Sequence, residues 1–227
     1  MTRVKLCGLM SDEDVAMAVR AGADALGFVT EYPVPVPWNL AREQAAELVR
    51  RAPPFVTTVA VVGGEVADMI AIARKVRPNF LQLHGDETLA EIEAVVDALR
   101  PEGVKVLKAL RIDVDSGEAQ FPESDPVRAA EILSESGLVG LIVDSKTGSR
   151  PAGTGVALDW GVIARLADAV SIPLILAGGL NAGNVAEAVR YVRPYGVDVI
   201  SGVERASGVK DAALMRAFVK AVKHAGL

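Results

Sequence analysis

One cysteine occurs among the 227 residues, Cys7, and it directly follows a short apolar run, Val4–Leu6. Asp144 stands in the equivalent place after a second run, Leu138–Val143. A thiolate can remove a proton, and a carboxylic acid in a partly dry site can deliver one. Such a pair needs a thiol pKa depressed from its reference of about 8.5 and a carboxyl pKa raised. Lys5, two residues before Cys7 and so on the same strand face, would favour the thiolate. The competing reading of a lone cysteine is a small buried hydrophobe.

A second set of residues suits an anion. Gly178 and Gly179 follow the run Pro173–Ala177, Ser201 and Gly202 follow Val197–Ile200, and Gly153 and Gly155 close a long polar loop. Backbone N–H groups at such turns cradle phosphate when a helix N-terminus is near. Ordinary strand-to-helix turns also use glycine, so the paired positions carry the argument. Gln82 and His84 share one face of a further run, and Asp198 lies inside the last one. Gln82, His84 and Asp198 are candidate substrate-binding residues, and His84 and Asp198 suit substrate hydroxyls. A packed histidine and a carboxylate tied to Lys5 or Lys108 are the structural alternatives. Two histidines and one cysteine give no metal-ligand spacing.

These residues must be held by the elements between them. Eight apolar runs recur: Val4–Leu6, Ala25–Val29, Thr57–Val62, Phe80–Leu83, Val104–Ala109, Leu138–Val143, Pro173–Ala177 and Val197–Ile200. They are rich in Val, Ile and Leu without strict alternation, as expected of parallel strands buried on both faces. Helical patterns separate them; the first opens at Ser11, a natural N-cap, and stops at Gly22. Eight such units predict one (β/α)8 barrel domain over residues 1–227, with the chemistry-bearing residues at its C-terminal rim. An open dinucleotide-binding sheet fits less well, because Leu6-Cys7-Gly8-Leu9-Met10 is not a GxGxxG turn. Two segments fall outside the pattern: Tyr32–Trp38, with proline at every second position, and Ser145–Gly155, a candidate lid.

Composition narrows the class. The chain is 51% hydrophobic, enough for a large core, and carries 24 basic against 29 acidic side chains. A net charge of −5 with few aromatics argues against a nucleic-acid binder. No apolar run approaches the roughly 18 residues of a membrane span. The N-terminus runs straight into a strand-like segment without a signal-peptide stretch, and a lone cysteine fits a reducing cytoplasm.

Several motifs occur in order: Lys5-Leu6-Cys7-Gly8, Gly22-Ala23-Asp24-Ala25-Leu26-Gly27-Phe28, Gln82-Leu83-His84-Gly85, Gly153-Thr154-Gly155, Leu158-Asp159-Trp160, Ala177-Gly178-Gly179-Leu180 and Gly196–Glu204. Over nearly its whole length the chain resembles the phosphoribosylanthranilate isomerase family of tryptophan biosynthesis. The resemblance implies a (β/α)8 barrel and a cofactor-free Amadori rearrangement of a small phosphosugar, N-(5-phosphoribosyl)anthranilate, to the aminoketose. It also implies that Cys7 is the general base, that Asp144 is the general acid, and that the glycine turns hold the phosphate. Other cofactor-free phosphosugar isomerases and a non-catalytic phosphate-binding barrel are the alternatives, since this fold hosts many chemistries. The sequence leaves the oligomeric state open.

One segment departs from the family. Its members usually carry a Ser-Pro-Arg-like segment after strand two, whose arginine is thought to meet the anthranilate carboxylate. Here Glu31–Trp38 contains no basic residue. Arg150 is the first candidate to replace it, with Arg111 and Lys146 behind, and Trp38 is placed to stack on an aminobenzoate ring.

Overall fold

The computed structural model describes residues 1–146 and 159–225. Eight parallel strands close a barrel in chain order. They are β1 (Arg3–Leu6), β2 (Ala25–Val29), β3 (Thr57–Val62), β4 (Phe80–Leu83), β5 (Lys105–Asp113), β6 (Gly140–Lys146), β7 (Leu174–Leu176) and β8 (Gly196–Val199). Eight helices alternate with them: α1 (Asp12–Ala21), α2 (Arg42–Arg50), α3 (Val66–Val76), α4 (Leu89–Leu99), α5 (Pro126–Ser134), α6 (Trp160–Ala169), α7 (Val185–Val192) and α8 (Ala212–Ala225). The expected (β/α)8 barrel is therefore the observed one. None of the described helices is long and apolar enough to cross a membrane.

Local chemistry sets the element ends. Ser11 accepts from the Asp14 N–H while the Asp14 carboxylate accepts from the Ser11 N–H, a reciprocal capping box. Gly22 ends α1 at φ +90°, a conformation that costs glycine no Cβ clash. Thr88 and Glu91 repeat the capping box at α4.

Outward strand residues such as Leu6, Phe28, Leu81 and Val197 are buried against the helices. Inward residues Val59, Leu107, Ala109 and Ile142 fill the barrel's lower interior. Both faces of each strand are thus apolar in the lower half, which is why the runs show no alternation. The buried polar side chains Gln82, Arg111, Asp144 and Asp198 take inward positions toward the C-terminal end. The β1–β8 seam sets Lys5 beside Asp198, and the β5–β6 register sets Arg111 beside Asp144.

Two strands outrun the sequence expectation. β5 extends from the expected end at Ala109 to Asp113, and β6 from Val143 to Lys146, so Asp144 lies within a strand rather than after it. Arg111, Asp113 and Asp144 interrupt the apolar pattern, but at a barrel mouth they are held by the ladder and by a return segment. Asp113 N–H donates to Glu118 and Gln120 N–H to Arg111. A short hairpin, β9 (Glu204–Ala206) with β10 (Val209–Lys210), was not expected; it precedes α8 and turns at Gly208, φ +77°. Its sequence is too short and polar to show strand periodicity.

Candidate active site

A cleft of about 650 Å³, counted to its open mouth, lies at the C-terminal end of the barrel. Cys7, Gln82, His84, Asp144 and Asp198 all line it, as do Gly178, Gly179 and Ser201. Strand alternation brings them together: each is the inward residue at the upper end of its own strand, or the turn that follows it.

A buried polar relay crosses the floor. Lys5 Nζ donates to Asp198 Oδ2 at 2.6 Å and to Gln82 Oε1 at 2.8 Å. With its oxygen accepting, Gln82 must turn its NH₂ toward His84 Nδ1, 3.2 Å away. His84 Nδ1 is then the acceptor, and Nε2 carries the proton. Burial, then the charges of Arg111, Lys108 and Lys5, push the His84 pKa down to about 3, so the ring is neutral. Its Nε2–H has no hydrogen-bond partner and stands 3.7 Å from Asp144 Oδ2. Asp198 Oδ1 is likewise buried and unpartnered. A donor and an acceptor are thus left free at the floor of one cleft.

Asp144 is buried, and burial with the nearby Asp198 charge pushes its pKa up to about 7. The Ser145 N–H, donating to Oδ1 at 2.8 Å, and the charges of Lys5 and Arg111 act the other way. A carboxyl in this state keeps a proton near neutrality and can give it up there.

Cys7 corrects one expectation. Its thiol pKa is pushed up, not down, first by burial and also by Asp198, against the opposing charges of Lys5 and Lys210. Burial outweighs the pull of Lys5, and Asp198, the ion-pair partner of Lys5, adds to the rise. Gly27 makes the thiol's room, for a Cβ there would lie 2.4 Å from Sγ.

The phosphate-type turns keep their glycines for steric reasons that the structure makes explicit. Gly178 and Gly179 have φ of +79° and +64°. A Cβ on Gly178 would lie 2.6 Å from Ser145 Oγ, and one on Gly202 would lie 1.9 Å from the Leu180 carbonyl oxygen. The turns after β7 and β8 therefore pack directly on each other at the cleft. A 3₁₀ turn, Ser201–Val203, follows β8. Arg150, Gly153 and Gly155 lie outside the described residues, as does the side chain of Lys146.

The wall of the cleft and the hairpin behind it are held by further contacts. Tyr32 is buried, and its hydroxyl donates to the His84 carbonyl at 3.0 Å. Trp38 is pinned by its Nε1–H, which donates to Glu204 Oε1 at 2.6 Å. Lys210 also donates to that oxygen, at 2.8 Å. The prolines framing Tyr32 and Trp38 were the available signal, since a stiff segment carrying two aromatics is suited to a wall. Glu204 stands in the sequence only as the end of the Gly196–Glu204 motif, and Lys210 had no signal, because their hairpin was not legible.

The model of the family N-(5'-phosphoribosyl)anthranilate (PRA) isomerase matches residues 4–221. The N-(5'-phosphoribosyl)anthranilate isomerase of Haloferax volcanii is 43% identical over 226 residues, covering 99% of this chain and 95% of that protein. That of Pseudomonas putida is 41% identical over 224 residues, covering 98% of each. The crystal structure of phosphoribosyl anthranilate isomerase from Thermotoga maritima matches with a TM-score of 0.82 at 34% identity, over 100% of both chains. A phosphoribosyl anthranilate isomerase in complex with reduced 1-(o-carboxyphenylamino)-1-deoxyribulose 5-phosphate matches with a TM-score of 0.79 at 32% identity, again over 100% of both.

A (β/α)8 barrel with this mouth, matched along its length by isomerases, is an intramolecular aldose–ketose isomerase. The chain belongs to the phosphoribosylanthranilate isomerase family, whose reaction lies in tryptophan biosynthesis.

Proposed function

We propose that this chain converts N-(5'-phosphoribosyl)anthranilate to the 1-deoxyribulose 5-phosphate aminoketose, with Asp144 as general acid and Cys7 as general base. The observation that carries this reading is the Asp144 carboxyl, buried and proton-holding near neutrality, in the same cleft as the lone thiol. Asp144 gives its proton to the ribose ring oxygen as the C1–O bond breaks, and the anthranilate nitrogen lone pair forms the iminium. Cys7 as thiolate removes the C2 proton, and that electron pair neutralises the iminium to an enolamine. Tautomerisation puts a proton on C1 and takes one from the C2 hydroxyl. C1 is reduced as C2 is oxidised, so the redox change is internal and no net proton is consumed.

The surrounding groups have parts in this reading. Gly178, Gly179, Ser201 and Gly202, with Gly153 and Gly155, would hold the phosphate. The free Nε2–H of His84 suits a substrate oxygen, and Asp198 Oδ1 suits a hydroxyl proton. Gln82, with both amide ends engaged, orients His84 rather than meeting substrate. Trp38 and Tyr32 form the wall for the aminobenzoate ring. The same reading takes residues 1–227 as one domain acting in the cytoplasm. Loss of anthranilate fluorescence on mixing protein with N-(5'-phosphoribosyl)anthranilate tests it; no turnover where a known isomerase works overturns it.

A further inference from the structure

Four cationic side chains are buried among the described residues: Lys5, Lys108, Arg111 and Lys210. Three are closed systems. Lys5 has Asp198 and the Gln82 oxygen, Lys108 has Glu87 and the Gly85 carbonyl, and Lys210 has Glu204 and the Ile200 carbonyl. In each the carboxylate is buried with the amine. Arg111 differs. It is 3% exposed, yet its ion-pair partner Asp86 has a side chain that is 78% exposed. Its Nε is buried with no hydrogen-bond partner.

A guanidinium presents five N–H donors in a planar fork that matches a carboxylate in a bidentate pair. Here only part of the fork is used, by a carboxylate that water can take back. The residue stands just behind the cleft lining: it sits beside Asp144 in the β5–β6 register, and its charge is felt by Tyr32, His84 and Asp144, all cleft-lining. An aminobenzoate carries one carboxylate, and no basic residue lies in Glu31–Trp38 to receive it.

We propose that Arg111 is the specificity-determining residue for the aglycone, taking the carboxylate of the aminobenzoate ring, and that Asp86 occupies its fork until that carboxylate replaces it. This rests on the reading of the substrate given above. Asp86 is therefore a competitor: it keeps the buried charge from standing alone in the free protein and lowers affinity for the acidic ligand.

The test is calorimetric binding of two ligands, reduced 1-(o-carboxyphenylamino)-1-deoxyribulose 5-phosphate and its phenylamino counterpart without the carboxylate. Wild type favours the carboxylated ligand. Arg111→Gln removes about 10- to 100-fold of that preference, as expected for a charge-assisted pair, and Arg111→Lys restores part of it. Asp86→Asn, at an exposed site, tightens the carboxylated ligand several-fold and not its counterpart. An equal loss for both ligands in Arg111→Gln means a structural arginine and overturns the proposal. So does an unchanged or weakened carboxylated ligand in Asp86→Asn, an arm that decides the matter if Arg111→Gln does not fold. Selective loss in Arg150→Gln instead also overturns it. Failure of wild type to turn over N-(5'-phosphoribosyl)anthranilate would count against the proposed function, whereas turnover without these selective effects counts against Arg111 alone.

Discussion

Lys5 Nζ lies 2.6 Å from Asp198 Oδ2 across the β1–β8 seam that closes the barrel. Burial disfavours the ammonium, but Asp198 and Cys7 outweigh it and the Lys5 pKa is raised. The pairing has a consequence two residues along β1. Lys5 favours the Cys7 thiolate, but burial outweighs it, and its partner Asp198 raises the thiol further.

Asp198→Asn should therefore lower the Cys7 pKa, since it removes a like charge and frees Lys5. Thiolate absorbance at 240 nm, followed against pH, reads this directly. The variant should also lose about 3 kcal/mol of stability, because half of a buried pair is gone. A thiol that titrates as in wild type would sever the proposed link between the pair and Cys7.

Cys7→Ser and Asp144→Asn should each cut kcat by about 10²-fold or more, the usual cost of removing a positioned acid or base. Anthranilate fluorescence under substrate saturation is the measurement. Near-native rates in both variants would dismiss the proposed acid–base roles.

The pH profile should carry an unusual assignment. The proposed mechanism requires Asp144 protonated, with a pKa of about 7, and Cys7 ionised, with a raised pKa. That combination is a minority state. Its population rises with pH up to about 7, stays level, and falls only above the thiol pKa. The acidic limb of kcat/KM thus reports the group that acts as the acid. In Asp144→Asn the residual rate should lose that limb and keep climbing into the alkaline range with the thiolate fraction.

Asp144 should also tax stability. Its folded pKa of about 7 exceeds the ordinary 3.8, so the folded chain binds this proton more tightly than the unfolded chain. The resulting stabilisation is complete below about 3.8 and is lost as pH rises through about 7. Asp144→Asn should then be more stable than wild type at pH 8, on the order of 2–4 kcal/mol. The gain should shrink below pH 7 and vanish near pH 4. Denaturant melts at several pH values decide it, and a gain independent of pH would refute the assignment.

Much of this protein was legible in one dimension. Apolar runs such as Thr57–Val62 and Phe80–Leu83 match β3 and β4 to the residue, because burial on both faces demands continuous hydrophobicity. The motifs singled out Cys7 and the glycine turns, position after an apolar run singled out Asp144, and the fold gathers Cys7, Asp144, Gly178, Gly179 and Ser201 at one cleft. The sequence could not say which polar groups are already satisfied. The β1–β8 register gives Lys5 a second role as the partner of Asp198, and Gln82 reads as a free amide until Lys5 and His84 meet its two ends. Arg111 ranks behind Arg150 in the sequence for a related reason: it lies past the apolar stretch that marks β5, and the unused part of its fork appears only when its neighbours are in place. Residue type is a local property. Protonation and hydrogen-bond vacancy depend on burial and on charges brought from distant segments, and those are set only when the barrel closes.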